Sequence, residues 1–429
     1  MSTSTLSLLG AARLPRWCLP SGWPVSRGQP ALADISIADG CITAIVPHDR
    51  SAAIPATARH LGGAPVLPGL VEAHTHIDKT FTRNRLGTVA PGLLAAIEAM
   101  KADRAEWTAD DVRERAGRAL RWAVEAGVTH LRTHCDWWEP DAAPLAWHVL
   151  RELGDAWAGR LQVERVSLIP LHLFPTRDAA HALARTVAAS GPGARLGGFV
   201  HTSNWDPAAL RHLFDAAEAF GLDVDLHVDE ELNPQACGLA TTAALLREIG
   251  FSGRVVCGHA CALAAQEDSL ALATLDAVAR APITLVSLPT TNLLLQDART
   301  GRTPRQRGLT LVKEARERGI PVLISTDNVQ DAFCAYGSFD PVEALAVGAL
   351  TAQLADVFDT WTEAICRRDW LSRSPRASGA LAAGDRADFV IFVQADATTW
   401  PARAHRRTVI RAGLPIASSQ AIASTQAIA

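Results

Sequence analysis

Two histidines separated by one residue, His74 and His76, are the first residues of this sequence whose type and spacing could do chemistry. They lie near the end of an apolar run, residues 66–77, that has the character of a β-strand. Residues two apart in a strand project to the same face, so the two imidazoles point together. Two imidazoles on one rigid edge form half of a metal site, and the rest of the chain must supply the other half.

Three other predicted strands also end in polar residues. In the run 222–228 the apolar residues share one face, and His227 lies on the opposite face, directed inward if the apolar face packs on helices. The run 254–259 ends at His259, and the run 321–327 ends at Asp327. Polar residues at the carboxyl ends of several strands of a parallel barrel are where such folds place active sites.

Together His74, His76, His227 and Asp327 offer three imidazole nitrogens and one carboxylate oxygen to a single divalent cation. That donor set suits Zn²⁺ or Fe²⁺, with Mn²⁺ as a further candidate, better than Ca²⁺ or Mg²⁺, which prefer oxygen ligands. A cation of this kind lowers the pKa of a bound water to about 7 and so provides hydroxide at neutral pH.

Glu230, His259 and Asp327 are the candidate catalytic residues. Glu230 follows His227 by three residues, where the strand runs into its loop, and could carry a proton from the water to a leaving nitrogen. His259 could orient the hydroxide or polarise the bond under attack.

Packing is the alternative explanation for each of these histidines, because a single barrel histidine is more often a packed side chain. Packing is a weak explanation for the whole set, since these residues lie at the ends of four predicted strands, all on one rim. Four further histidines lie near strand ends and remain unassigned: His130, His134, His172 and His201.

The elements that must position these residues alternate between apolar strands and helical segments. Helix signals include residues 110–126, with Thr108 as N-cap, and residues 207–220. Eight β/α units predict an α/β fold, a (β/α)8 TIM-type barrel. A doubly wound open sheet is the alternative, and no glycine-rich phosphate loop supports it. The predicted strands are residues 66–77, 130–134, 162–169, 195–200, 222–228, 254–259, 283–288 and 321–327.

The two ends of the chain contain short β-like runs. Asp39-Gly40 between alternating apolar positions predicts a hairpin, and residues 381–392 and 408–413 carry matching runs. Neither end has enough strands for a stable sheet, so we expect both to form one small β-sandwich domain. The predicted division is 1–66 (first part of the β-sandwich), 67–372 (barrel) and 373–429 (second part, with a flexible tail from about Ser418).

Composition excludes several classes of function. A net charge of −4 gives no reason to expect a nucleic-acid partner. No run approaches the length of a membrane span, the N-terminus lacks the character of a signal peptide, and eight cysteines form no dense framework. We therefore expect a cytoplasmic protein with no membrane partner, and a homo-oligomer, as is frequent for this architecture.

Several stretches resemble the amidohydrolase superfamily. Residues 68–76, Pro-Gly-Leu-Val-Glu-Ala-His-Thr-His, resemble its first-strand motif, and residues 40–45 and 384–391 resemble its flanking β-domain. The cytosine deaminase group within it is the best match. The stretches that carry this second resemblance are 131–136, 227–230, 258–259, 295–296, 305–314 and 326–329.

This resemblance implies roles for individual residues. His74, His76, His227 and Asp327 match metal ligands, whereas Glu230 matches the acid/base carboxylate. His259 matches the histidine beside the hydroxide, and Gln296 matches a position near the bound heterocycle. Related two-metal enzymes use a carboxylated lysine from the fourth strand. No lysine occurs between Lys101 and Lys313, so we expect one metal ion.

The activity implied is hydrolytic deamination of a small nitrogen heterocycle, in which metal-bound hydroxide attacks the amino-bearing ring carbon and ammonia leaves. One alternative keeps the mechanism but acts on an N-alkylamino-triazine or on a cyclic amide or amidine C–N bond. A second is a non-catalytic descendant that only binds a ligand, and the presence of Glu230 and all four ligands speaks against it.

Three departures from the cytosine deaminase pattern concern the substrate. Leu171 stands where those enzymes carry a base-binding glutamine, Asn328 replaces a second aspartate, and Phe333 replaces a tryptophan. Loss of the glutamine should penalise cytosine and favour a less polar ligand, or one recognised by different contacts. Lys79 either meets an oxo group of the substrate or remains solvated. With Gln296, these are the predicted substrate-binding residues.

Overall fold

The computed structural model describes residues 6–49, 51, 58–372 and 381–416. The predicted hairpin is present: Ala38 pairs with Cys41, and the intervening Asp39 and Gly40 have φ of 51° and 75°, as a two-residue turn of type I′ requires. The strands before the barrel are β1 (Leu8–Ala12), β2 (Val25–Ser26), β3 (Gln29–Pro30), β4 (Ala33–Ala38), β5 (Cys41–Pro47), β6 (Ala58–His60) and β7 (Val66–Pro68).

Eight parallel strands form the central sheet, in which each strand pairs with its neighbours in the sequence. A parallel bridge between Thr75 and Asp327 joins the first strand to the segment after the last, which closes the sheet into a barrel. The (β/α)8 fold is confirmed, and the open sheet is excluded. The barrel strands are β8 (Leu70–Thr75), β9 (Val128–Asp136), β10 (Gln162–Pro170), β11 (Ala194–Val200), β12 (Val224–Val228), β13 (Val255–His259), β14 (Ile283–Ser287) and β15 (Val322–Ile324).

Two predicted strands differ from those observed by a break or by more than two residues at one end. The run 66–77 divides at Gly69 into β7, in a sheet of the small β-domain, and β8, in the barrel. An added Cβ at residue 69 would lie 2.1 Å from Cγ2 of Thr129, so the crossing requires glycine. The eighth strand ends at Ile324, three residues before Asp327. Asp327 itself has a left-handed φ of 65°, which is outside the conformation of a β-strand.

Helices surround the barrel, and both helix predictions are confirmed within one residue. The Thr108 side chain accepts a hydrogen bond from the amide of Asp111 at 3.2 Å, and Pro207 opens the later helix. No helix in the described ranges is long and apolar enough to cross a membrane. The helices are α1 (Leu93–Arg104), α2 (Ala109–Ala126), α3 (Leu145–Trp157), α4 (Arg177–Ala188), α5 (Pro207–Ala219), α6 (Gly238–Ile249), α7 (Asp268–Val278), α8 (Pro289–Leu295), α9 (Val312–Glu317), α10 (Pro341–Thr351), α11 (Val357–Thr360) and α12 (Arg368–Leu371).

The two ends of the chain share one small β-domain, as predicted. The last strands, β16 (Phe389–Ile391), β17 (Thr408–Arg411) and β18 (Leu414–Pro415), form a sheet with β7 in the order β18-β17-β16-β7. A second sheet has the order β5-β4-β1-β6, and buried residues of both ends pack in one core. The flexible tail expected from Ser418 lies outside the described residues.

A cluster of buried and partly buried charges links four barrel strands, β9 to β12. Arg132 on β9 donates to Asp225 Oδ2 on β12 at 2.7 Å and to Glu164 Oε2 on β10 at 2.6 Å. Glu164 also accepts from Arg195 at 2.8 Å. Burial alone would raise the pKa of Glu164, but Arg132 and His130 hold this pKa well below its usual value. Each charge in the cluster therefore has a compensating partner.

We expect Arg132→Met to destabilise the fold by about 3–5 kcal/mol, because it leaves Glu164 and Asp225 as buried charges that lack their main partner. Urea unfolding monitored by circular dichroism measures the change. Arg113→Met is the matched control, since Arg113 pairs with Asp110 and Glu152 on the surface and should shift the transition little. Equal effects of the two substitutions would contradict a stabilising role for the buried cluster.

Candidate metal and catalytic site

Side chains from the ends of three barrel regions meet inside the barrel. The Nε2 atoms of His74 and His76 each lie 3.1 Å from Nε2 of His227. Asp327 Oδ1 lies 3.6 Å from Nε2 of His74 and 3.3 Å from Nε2 of His76. Ligand atoms around a tetrahedral ion with bonds of 2.0–2.2 Å are about 3.3–3.6 Å apart. The four side chains therefore have nearly the spacing that one divalent ion requires.

The polar atoms of this cluster also fit a cation. Among the described residues, neither carboxylate oxygen of the buried Asp327 accepts a hydrogen bond. A buried carboxylate without donors is costly unless a cation compensates it. Burial and the neighbouring imidazoles lower the pKa of His74 and His227 well below the usual value, and burial with Lys79 does so for His76. The rings are thus neutral and offer lone pairs.

His134, which the sequence left unassigned, packs against this cluster. Its ring centroid lies 3.9 Å from that of His74, and the two belong with His76 and His227 to a second group of four potential ligands. However, Nε2 of His134 is 3.2 Å from Asp225 Oδ1, and Nδ1 faces the carbonyl of Thr75 at 3.4 Å. We interpret His134 as a residue that packs against the site and connects the site to the buried charge cluster.

Glu230 and His259 lie beside the four ligand candidates. Nδ1 of His259 is 3.3 Å from Glu230 Oε1 and 3.1 Å from Nδ2 of the Asn292 side chain, from which it can accept a hydrogen bond. Burial lowers the pKa of His259 to about 3, and burial together with Asp327 raises the pKa of Glu230 well above its usual value. An accepting Nδ1 leaves the imidazole proton on Nε2, which has no partner among the described residues. This N–H is available to a substrate.

The backbone is strained where it carries these side chains. His259 and Asp327 have φ of 72° and 65°, a left-handed conformation that costs a residue with a side chain about 1–3 kcal/mol. Hydrogen bonds hold the strained positions: Thr310 Oγ1 donates to the His259 carbonyl at 2.6 Å, and the Asp327 amide donates to the His74 carbonyl at 3.0 Å. Such strain is typical of functional sites.

We expect Gly258→Ala to weaken metal binding by about 10- to 100-fold, since residues around a ligand tune affinity by that amount. An added Cβ at Gly258 would lie 2.8 Å from Cε1 and 3.0 Å from Nδ1 of His74, so the ring must move. Retention of metal against graded chelator measures the effect. Gly87→Ala is the control because an added Cβ meets nothing within 4 Å there. Equal retention by both variants would contradict the close approach.

A cavity with mostly apolar walls opens onto the cluster. Of the predicted substrate residues, Lys79, Asn328 and Phe333 line it. Lys79 is buried and donates to Asp136 at 2.5 Å, so the solvated alternative is wrong. Burial alone lowers the pKa of Lys79, but Asp136 and Asp78 raise it above its usual value. The ion pair of Lys79 and Asp136 is therefore part of the cavity wall.

Two predicted substrate residues lie outside the cavity lining. Leu171 begins a 3-10 helix that turns it away, and it is fully buried in the hydrophobic core, whereas Leu168 and Pro170 form the cavity wall instead. Gln296 is buried as well, and its amide faces the Glu230 carbonyl at 3.3 Å. It therefore supports the backbone of Glu230.

Sequence reasoning missed several lining residues. Asp136 follows His134 by two residues, so the same spacing rule that selected His74 and His76 could have found it. Trp138 and Phe199 carried no signal in the sequence. The Nε1 atom of Trp138 is buried and has no hydrogen-bond partner among the described residues. It is a donor in the cavity wall that a ligand could satisfy.

Comparisons with known proteins show which family and which folds this chain resembles. Residues 177–417 match the model of the amidohydrolase family. Pterin deaminase from Rhizobium rhizogenes is 37% identical over 361 residues, which cover 84% of this chain and 82% of that protein. N-isopropylammelide isopropylaminohydrolase from Burkholderia multivorans is 25% identical with a TM-score of 0.72, covering 95% of this chain and 97% of that one. 5-Methylcytosine deaminase from Klebsiella pneumoniae shares the fold, with a TM-score of 0.76 at 24% identity over 96% and 97% of the two chains.

Proposed function

We propose, because this chain belongs to the amidohydrolase family, that it hydrolytically removes an amino group from a small nitrogen heterocycle. The convergence of three imidazole nitrogens and the Asp327 carboxylate at the floor of the cavity is the observation that carries the proposal. Two groups suited to proton transfer, Glu230 and His259, line the same cavity.

Each of these groups has its own role in the proposed reaction. His74, His76, His227 and Asp327 would hold one divalent ion, Zn²⁺, Fe²⁺ or Mn²⁺, which when bound supplies a water of pKa near 7. Glu230 would take a proton from the attacking water and deliver it to the amino nitrogen of the substrate. The water oxygen forms a bond to the ring carbon, the C–N bond breaks, and ammonia leaves. The Nε2–H of His259 donates to the oxygen as it adds.

Pterin, a bicyclic 2-amino-4-oxo heterocycle, is the substrate we propose. The 37% identity to a pterin deaminase supports it. The aromatic side chains of Trp138, Phe199 and Phe333 in the cavity wall suit a flat bicyclic ring. Lys79, which is paired with Asp136 at one side of the cavity, is a cation that could meet the 4-oxo group.

An alkylamine as leaving group is the second candidate. The 25% identity to an N-isopropylammelide isopropylaminohydrolase over 95% of the chain supports it. Leu93 and Ile97 of α1 line the cavity and would accommodate an alkyl substituent. The mechanism stays the same, and only the amine that receives the proton from Glu230 changes.

A product-release screen tests these candidates. Pterin, cytosine, 5-methylcytosine, guanine and N-isopropylammelide are supplied separately, and ammonia and isopropylamine are each quantified. We expect pterin to give the highest kcat/KM with release of ammonia. Faster release of isopropylamine from N-isopropylammelide would select the second candidate. Release of neither amine by metal-replete protein from any of the five compounds would contradict both.

We expect Trp138→Phe to raise KM for the substrate by about five- to tenfold with little change in kcat, the effect of one lost hydrogen bond in binding. The substitution keeps an aromatic ring but removes the buried Nε1–H donor. Trp23→Phe is the control, since it removes an indole donor that bonds the Ala31 carbonyl in the β-domain. An unchanged KM would show that Trp138 Nε1 does not meet the substrate.

A further inference from the structure

A second large cavity, of about 600 Å³, lies at the opposite end of the barrel from the proposed active site. It is bounded by the first residues of β10, the segment before β11, the C-terminal end of α3 and part of the small β-domain. Residues 162–165 line it, whereas the proposed catalytic residues follow the other ends of the strands. It is thus separate from the proposed active site.

Positive charge is concentrated in this cavity. Seven arginines line it against three carboxylates, a formal excess of four positive charges, although the whole chain carries a net charge of −4. A concave surface lined by one sign of charge focuses the electrostatic potential and attracts ions of opposite sign. The cavity therefore favours anions even though the protein as a whole does not.

Two of the three carboxylates in the cavity are already engaged with arginines. Glu164 is shared between Arg195, at 2.8 Å, and Arg132 of the buried charge cluster, at 2.6 Å. Asp388 is shared between Arg386, at 3.2 Å, and Arg411, at 3.4 Å. Each of these two carboxylates thus pairs with two guanidinium groups, and neither of them pairs with Arg151, Arg160 or Arg165.

Three of the lining arginines, Arg151, Arg160 and Arg165, have no carboxylate within 4.0 Å in the described part of the chain. Arg165 is buried, and its guanidinium donates only to the carbonyl groups of Trp147 and Ser190, at 3.4 and 3.0 Å. Arg160 donates to the Ala156 carbonyl at 3.3 Å. Burial lowers the pKa of Arg165 to about 10, so its guanidinium is still charged at neutral pH, and an anion would compensate that charge.

We propose that this arginine-lined cavity binds a multivalent oxyanion of small-molecule size, such as a phosphate-bearing metabolite. Guanidinium groups match the oxygens of phosphate and carboxylate groups in bidentate geometry. A volume of about 600 Å³ accommodates a nucleotide or a ligand of similar size. The site requires no part of the proposed deaminase chemistry, and it gives the protein a second ligand class.

Isothermal titration calorimetry of the metal-replete protein at low ionic strength tests the proposal with three probes: pyrophosphate, ADP and citrate. We expect saturable binding of at least one probe at one site per chain, weakened by added salt. Tighter binding of ADP than of pyrophosphate would identify a nucleotide site, and preference for citrate would identify a polycarboxylate site. No saturable binding of any probe below 1 mM, about −4.1 kcal/mol, would overturn the proposal.

The double variant Arg151→Gln/Arg160→Gln assigns the binding to this cavity. Both side chains are exposed and lack carboxylate partners in the described residues, so the fold should tolerate their replacement. We expect at least about tenfold weaker binding of the preferred probe. Arg113→Gln/Arg211→Gln, which changes two surface arginines outside the cavity, should bind as the unmodified protein does. Equal binding by both double variants would place the anion elsewhere, for example on the proposed metal ion, and overturn the proposal.

Discussion

Glu230→Gln is expected to lower kcat by about 10²- to 10⁴-fold while the protein keeps its metal ion. The amide has nearly the shape of the carboxylate but cannot take a proton from the attacking water or carry it to the leaving nitrogen. Glu230 is buried, and its carboxylate is 3.3 Å from His259, so water can replace it only poorly. Steady-state ammonia release and metal content by mass spectrometry are measured on the same preparation.

Glu231→Gln provides the matched control for this substitution. Glu231 is the next residue, but its carboxylate accepts from the amide and hydroxyl of Thr202 at 2.7 and 2.8 Å and does not line the cavity. Glutamine can accept the same bonds, so activity should stay close to that of the unmodified protein. Near-normal turnover by Glu230→Gln would move the proton-transfer role to another group.

Removal of the divalent ion is expected to lower activity below about 1% of the starting value, because water at its ordinary pKa supplies almost no hydroxide at neutral pH. One equivalent of Zn²⁺, Fe²⁺ or Mn²⁺ per chain should restore it. The stoichiometry follows from the short distances among the four ligand candidates and from β11, whose seven residues include no lysine to bridge a second ion. Activity is followed during chelation and stepwise metal addition.

Two variants test whether the metal ion acts at the proposed site. His227→Ala removes the imidazole that lies 3.1 Å from both His74 and His76, so added metal should not restore its activity. His148→Ala, on the exposed face of α3, should respond to chelation and metal as the unmodified protein does. Full activity in protein that retains less than about 0.1 equivalent of any divalent metal would contradict the metal-dependent mechanism.

The main parts of the fold and the cluster at its centre follow from local patterns. Alternation in residues 222–228 places His227 on the inner face, and the two-residue spacing of His74 and His76 does the same at the first strand. Strand order then brings their ends to one rim, because consecutive parallel strands are neighbours in the barrel. Short-range periodicity and the rule for barrel active sites were sufficient for these residues.

Other parts of the site depend on contacts that no local pattern reports. Lys79 is buried by an ion pair with Asp136, 57 residues away, and a lysine without a visible partner would be expected at the surface. Leu171 follows Pro170 directly, but one turn of 3-10 helix rotates it into the core. β9 is buried over nearly its whole length, so alternation could not distinguish His134 from a packed residue.

The bridge between Thr75 and Asp327 has a consequence for the lifetime of the protein. The last barrel strand is only three residues long, so the seam where the barrel closes relies on few backbone hydrogen bonds. His74 and Asp327 lie on the two sides of that seam, about 250 residues apart in the chain. An ion held by both would cross-link a very long loop and oppose local opening. Without metal, the amides along the seam would exchange first and proteases would cut there first. Scarcity of metal would then shorten the lifetime of the protein in a cell as well as abolish its activity.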